Sequence, residues 1–227
     1  MALEEKLLEI KNNENIRVVI IRGSGGKAFV AGADIEEMKD MSFIDAKNFA
    51  KLGHRVFTLI ESINKPFIAA IDGFALGGGN ELAMSCDLRF ATEKSKFGQP
   101  EVSLGIIPGF GGTQRLTELV GPTMAKELIY TGETINAKKA CEIGLINRVV
   151  KNEELMDIVK NIAKNIASNA PLAIGFAKEA ILNKQKAAGE KDLDFESNLF
   201  ALCFNTTDQK LGMDAFLKRE KIDYKGK

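Results

Sequence analysis

The sequence predicts an α/β fold whose strands are buried and parallel in type, followed by a helical C-terminal lobe. Three observations carry that prediction. Two apolar runs, "IRVVIIRG" at 16–23 and "PFIAAIDG" from Pro66, are bounded by glycine and lack an apolar–polar alternation, as strands covered on both faces do. Between them, Phe49, Val56, Ile60 and Ile63 recur at helical spacing within 42–63. Beyond about residue 122 the pattern is mainly helical, with one further strand, "NRVV" at 147–150. The expected division is an α/β core over 1–168 and a helical lobe over 169–227.

In chain order, residues 2–11 read as a short amphipathic helix, and the first strand runs into a glycine-rich loop at 23–34. The helix over 42–63 precedes the second strand. "GNELAMSCD" is a short helix directly after a glycine cluster, and "LRFAT" and "SKFGQ" are short strands around a charged turn. "PEVSLGIIPGFGGTQRL" is a loop dense in turn residues that leads into a helix. Further helices are expected near 122–130, 137–143, 152–168, 171–187, 192–203 and 207–219.

Composition narrows the chemistry. Thirty-one basic residues balance thirty-one acidic ones, so there is no electrostatic footprint for nucleic acid or an anionic membrane. No apolar run approaches the roughly 18 residues needed to span a bilayer. The N-terminal "MALEEKLLEIKNN" carries acids and no apolar signal core, so the expected location is cytoplasmic. Cys86, Cys141 and Cys203 form no CxxC pair and read as free thiols in a reducing compartment. The single histidine, His54, lies inside the 42–63 helix, and no GxSxG accompanies it. A Ser-His-Asp triad and a histidine-rich metal site are both disfavoured. Chemistry falls to carboxylates, backbone amides or a reactive cysteine.

The stretch "GFALGGGNELAMSCD", 73–87, is the first candidate. Neither it nor "GFGGTQ" has the spacing of a phosphate-binding GxxxxGK[ST] or GxGxxG. It does run from a strand straight into a helix, whose first amides lack intrahelical partners and favour negative charge. A glycine at 78 lets a ligand approach that backbone closely. The reading is an oxyanion site of main chain, with Glu81 in the first helical turn beside it; the plainer reading of Glu81 is a dipole-favoured helix acid. In "FVAGADIEEM", Ala31, Gly32 and Ala33 are small and Asp34 suits a helix cap. In "FGQPEVSLGIIPGFGGTQRL", Glu101 follows Pro100, which favours a helix start.

"AFVAGADIEEM", "GFALGGGNELAMSCDLRFAT", "FGQPEVSLGIIPGFGGTQRL" and "AKKACEIGLINRVV" together resemble the enoyl-CoA hydratase/isomerase (crotonase) family. The resemblance covers nearly the whole chain, in the family's order, and is strongest to its hydratases. It implies a crotonase-like spiral of ββα units with a C-terminal helical oligomerisation lobe. It also implies a coenzyme A thioester whose carbonyl oxygen is held by the backbone N–H groups of Ala33 and Gly78, with Glu81 and Glu101 as catalytic acids around one water. Ala31, Asp34, Ile35 and Gly77 beside those amides, and Gly109 in the third block, are expected against the substrate. Family isomerases keep one acid, at the position of Glu101, so two acids favour hydration or dehydration. An isomerase, and a catalytically silent oligomer with the same fold, are the alternatives.

The resemblance further implies no metal or redox cofactor, coenzyme A entering only with the substrate. It implies a homo-oligomer, a trimer or a dimer of trimers, in which Phe216, Arg219 and Lys221 of "DAFLKREK" face a neighbouring subunit's coenzyme A site. Phe195, Leu199, Phe200, Leu202, Phe204, Phe216 and Leu217 supply apolar surface for that assembly. Two departures stand out. Glu36 occupies a position where some relatives carry a lysine for the coenzyme A phosphates. The sequence also starts at what reads as the helix after the family's N-terminal strand pair, with an unpaired sheet edge, weaker coenzyme A affinity and lower stability expected.

Overall fold

The computed structural model describes residues 2–186, 198 and 200–227, apart from the side chains of 184–186, 216 and 217. Its elements are α1 (Ala2–Asn12), β1 (Val19–Arg22), β2 (Ala28–Val30), α2 (Ile35–Met38), α3 (Phe43–Ser62), β3 (Phe67–Ile71), β4 (Phe74–Leu76), α4 (Gly78–Ser85), β5 (Leu88–Thr92) and β6 (Lys96–Gly98). A 3-10 turn, Pro100–Leu104, leads to α5 (Gly112–Thr131), β7 (Thr134–Asn136), α6 (Ala137–Glu142) and β8 (Arg148–Val150). The helices α7 (Leu155–Ala167), α8 (Pro171–Lys186) and α9 (Thr207–Lys218) complete the described chain.

Successive strands alternate between two sheets of four. One has the order β1-β3-β5-β8, the other β2-β4-β6-β7. Every pairing in the first is parallel; β7 alone runs antiparallel, on β6. Three consecutive turns therefore each lay one strand in either sheet and return through a helical segment, which is the expected spiral of ββα units. The C-terminal ends of β2, β4 and β6 come to the same end of the second sheet.

The uniform apolarity of "FIAAI" has a direct cause. Phe67, Ala69 and Ile71 of β3 face the main core, with Val56 and Ile60 of α3, Leu82 of α4 and Leu116 of α5. Ile68 and Ala70 face the other way, with Phe90, Val150 and the α7 residues Leu155 and Val159. A central parallel strand is covered on both faces, so it has no solvent side to mark with polar residues.

Caps start the helices where expected. Ser42 and Asp45 form a capping box at α3, which supplies acceptors for first-turn amides. Asp34 caps α2 by accepting from Glu36 N at 2.9 Å. His54 is an exposed residue of α3. Helix α4 is buried from Gly79 to Ser85, and it lies directly on β2: a Cβ on Gly79 would stand 1.9 Å from Val30 O. That contact accounts for the third glycine of the cluster.

Several expectations need correction. The loop expected over 23–34 contains β2, and the glycine cluster region contains β4. The stretch after 122, expected to hold one strand, also holds β7. Each is three residues long and pairs with a strand distant in sequence, so no local alternation marks it. The helix expected near 122–130 begins earlier, at Gly112, and breaks at Gly121 (φ 79, ψ 160) before Pro122. The first strand is shorter than 16–23, and the helix expected from 152 opens as a 3-10 turn, Asn152–Glu154. Most of the helix expected at 192–203 lies outside the described residues.

Polar contacts tie α8 to the core and the C-terminal tail to α9. Lys178 of α8 is inserted under β3, its Nζ donating to Ile60 O (3.1 Å), Lys65 O (3.0 Å) and Asp87 Oδ2 (2.9 Å). The ammonium also lies 5.2 Å from the Phe67 ring centroid. Buried Asp208 of α9 accepts from Lys225 N at 2.8 Å and Gly226 N at 2.7 Å. Among the described residues no helix is long and apolar enough to cross a membrane.

Candidate active site

The site lies where β2, β4 and β6 end. After β4 the chain turns at Gly77, φ 51, a conformation that L side chains disfavour. Helix α4 begins at once, and Gly78, its first residue, carries a first-turn amide without an intrahelical acceptor. After β2, Ala33 comes to the same place: a Cβ on Gly78 would lie 3.9 Å from Ala33 N. It would also lie 3.2 and 3.3 Å from the Phe110 ring. The sequence-predicted oxyanion pair is thus brought together, with an aromatic wall beside it.

Glu81, one turn into α4, is 1% exposed. Its Oε1 accepts from Phe110 N at 2.8 Å and Gly112 N at 2.7 Å. Glu101 follows β6 on the 3-10 turn and is 9% exposed. Its Oε1 lies 2.9 Å from where a Cβ on Gly77 would stand, so the acid reaches the turn that presents Gly78. Glycine at 77 serves both the backbone turn and the carboxylate.

The two acids have different surroundings. Burial raises the Glu81 carboxyl above the usual range, against the pull of the Gly112 and Phe110 amides and of Arg115. Burial raises Glu101 to about 7, its own backbone N–H opposing and the charge on Glu81 adding. The amide donors favour Glu81 as the ionised member. Such a pair titrates as a coupled unit.

Two residues here were missed in the sequence. Gln99 is fully buried. With its amide nitrogen toward Glu101 it donates to Oε2 at 3.1 Å and Oε1 at 2.9 Å. Phe110 packs against Phe49 and Phe57 of α3, with ring centroids 5.1 and 5.8 Å away. An aromatic inside "PGFGG" was the available clue; a glutamine between Gly98 and Pro100 offered none.

The other expected residues divide. Ala31 and Asp34 are exposed, as is Ile35, and they flank Ala33; Gly109 has open space around it. Arg219 and Lys221 are exposed beyond α9. The side chain of Phe216 lies outside the described residues. Cys86 is buried, and that burial pushes its thiol up to about 12, which removes it as a nucleophile at neutral pH.

The fold thus gathers two buried carboxylates and the amides of Ala33 and Gly78 at the ends of β2, β4 and β6. A family model described as Enoyl-CoA hydratase/isomerase matches residues 2–227, and the chain belongs to that family. It is 53% identical over 215 residues to a short-chain-enoyl-CoA hydratase of Clostridium acetobutylicum, covering 95% of this chain and 82% of the relative. It is 50% identical over 224 residues to a crotonyl-CoA hydratase of Syntrophomonas wolfei, covering 99% and 86%. Among solved structures, an enoyl-CoA hydratase from Bacillus anthracis superposes with a TM-score of 0.96 at 42% identity, covering 100% of this chain and 88% of that one.

Proposed function

We propose that the protein adds water reversibly to a short-chain trans-2-enoyl-CoA, giving the 3-hydroxyacyl-CoA. The thioester oxygen lies between the N–H groups of Ala33 and Gly78. Ionised Glu81 takes a proton from water as its oxygen bonds to C3. The π electrons move toward the thioester, whose oxygen holds the developing charge, and protonated Glu101 delivers a proton to C2. Glu81 then holds the proton it took from water and Glu101 is ionised, and proton exchange with solvent restores the pair. Dehydration is the same path in reverse. Preformed amides cost no reorganisation as the charge appears; removing one such donor in a characterised enzyme costs about 10²–10³ in rate.

The observation that carries this reading is two buried carboxylates meeting one pair of amides in a chain of this family. One acid would suffice for moving a double bond, which is why hydration is preferred to isomerisation. The names of the relatives support a short chain. No group beyond these carboxylates and amides is needed, so the proposal includes no resident cofactor. Mixing the protein with crotonyl-CoA is expected to bleach the conjugated enoyl-thioester absorbance and give a product heavier by one water; bleaching without that gain of mass would mean a double bond moved out of conjugation by an isomerase, and no change at all a silent oligomer.

The same proposal has the protein acting in the cytoplasm as a trimer or a dimer of trimers. Phe200, 65% exposed, and its T-shaped partner Phe204 present apolar surface that a second copy would cover. Sedimentation velocity is expected to give three or six chains, and a monomer at micromolar concentration refutes it.

A further inference from the structure

The loop from Gly109 to Gly112 is bonded in two directions. Inward, the N–H groups of Phe110 and Gly112 both donate to Glu81 Oε1. Outward, the Phe110 carbonyl between them accepts from Arg115 Nη1 at 2.8 Å. This alternation requires Gly111, whose φ of 100 is closed to most side chains. Amides arranged in this way converge on an anion. The next carbonyl, Gly111 O, is held by Gln114 N and Arg115 N at 3.1 and 2.9 Å, in the first turn of α5.

Arg115 is itself fixed. Its Nε and Nη2 donate to Glu61 Oε1 at 2.5 Å and Oε2 at 3.0 Å. Both side chains are largely buried, 11% and 21% exposed. Glu61 stands in the last turn of α3, the helix whose Phe49 and Phe57 grip the Phe110 ring. One helix thus holds Phe110 by its ring and, through Arg115, by its carbonyl. A planar guanidinium can satisfy a carboxylate and a carbonyl together; an ammonium offers no matching fork.

We propose that the Glu61–Arg115 pair is the positioning element for Glu81, holding the 110–112 backbone so that its two amides aim at that carboxylate. The inference rests on the two-acid reading above. Neither residue touches the Ala33 and Gly78 amides, so its effect falls on the rate rather than on thioester binding.

The test uses Arg115→Lys, Arg115→Met and Glu61→Gln in the full chain, each alone and combined with Glu81→Gln, with crotonyl-CoA as probe. Misplacing a reacting group by about 1 Å can cost 10²-fold, so the Arg115 variants are expected to lose about that much in kcat. KM is expected to move less than about threefold. On the Glu81→Gln background the same changes are expected to cost under about twofold, since the group they position is gone. Thermal melting reports folding; should Arg115→Met fail to fold, the lysine and glutamine variants carry the test. Parental kcat in Arg115→Lys, or a full loss repeated on the Glu81→Gln background, overturns the positioning role and leaves the hydratase reading standing. Full activity of Glu81→Gln alone removes the two-acid reading and this inference with it.

Discussion

Glu101→Gln is expected to lower crotonyl-CoA hydration by about 10²–10⁴-fold, the usual worth of a positioned proton transfer, while the protein stays folded. The glutamine keeps the shape and the contact with Gln99 but has no proton to give to C2. The pH profile adds a sharper expectation. Burial places Glu101 at about 7, and hydration needs it protonated, so the hydration rate falls as pH rises through neutrality. Dehydration starts from the other one-proton form, Glu81 protonated and Glu101 ionised, so it depends on the same total protonation of the pair and its rate is expected to fall over the same interval. Hydration also needs Glu81 ionised, so its rate falls too where Glu81 takes up a proton, which is the acid limb of the profile. Replacing Glu81 by Gln is expected to cost a similar factor and to abolish the acid limb. Initial rates in both directions across this range check the assignment; a profile flat through neutrality both ways, or parental rate in either variant, sinks it.

Lys178→Met is expected to destabilise the protein by about 1–3 kcal/mol, the cost of leaving a shielded acceptor unsatisfied. The side chain of Lys178 is 9% exposed. Methionine fills the stem's volume but supplies no donor, so Ile60 O, Lys65 O and Asp87 all lose one. Asp87 also accepts from Phe67 N at 2.7 Å, so its carboxylate stays tied to the edge of β3 and cannot follow the lost charge. Asp87→Asn is expected to cost less, because that side chain is 29% exposed and an amide oxygen still accepts from Phe67. Denaturant unfolding at fixed protein concentration measures both. A loss for Lys178→Met below about 1 kcal/mol would put the cluster among exposed ion pairs.

What was legible in the sequence follows from which interactions are local. The β-branched runs at 19–22 and 67–71 marked themselves, because a doubly covered strand must be apolar throughout. The glycine cluster marked the close packing of α4, since Gly77 and Gly79 answer backbone needs that other residues meet poorly. Asp34 marked its cap. The strands β2, β4 and β7 did not, because three residues carry no period and their partners lie in other turns of the spiral. Glu81 and Glu101 each looked like ordinary N-terminal helix acids; only the parallel pairing of β4 with β6, which carries α4 and the 3-10 turn to the same end of the sheet, makes them neighbours. Gln99, Arg115 and Lys178 were invisible for a related reason. Each is a polar residue whose meaning comes from the carbonyl or carboxylate that folding brings to it.

Side-by-side placement of β2, β4 and β6 has a consequence for how the molecule tolerates change. The links that enter these strands, 23–27, 72–73 and 93–95, gather at one pole, while Ala33, Gly78 and Glu101 gather at the other. Foreign sequence spliced into the exposed 24–27 link leaves Ala33, Gly78 and Glu101 on their own rungs, whereas close-packed Gly73 and buried Ser95 close the other two links to it. A break after any of the three strands unseats one of them, so no single excised stretch can carry the chemistry.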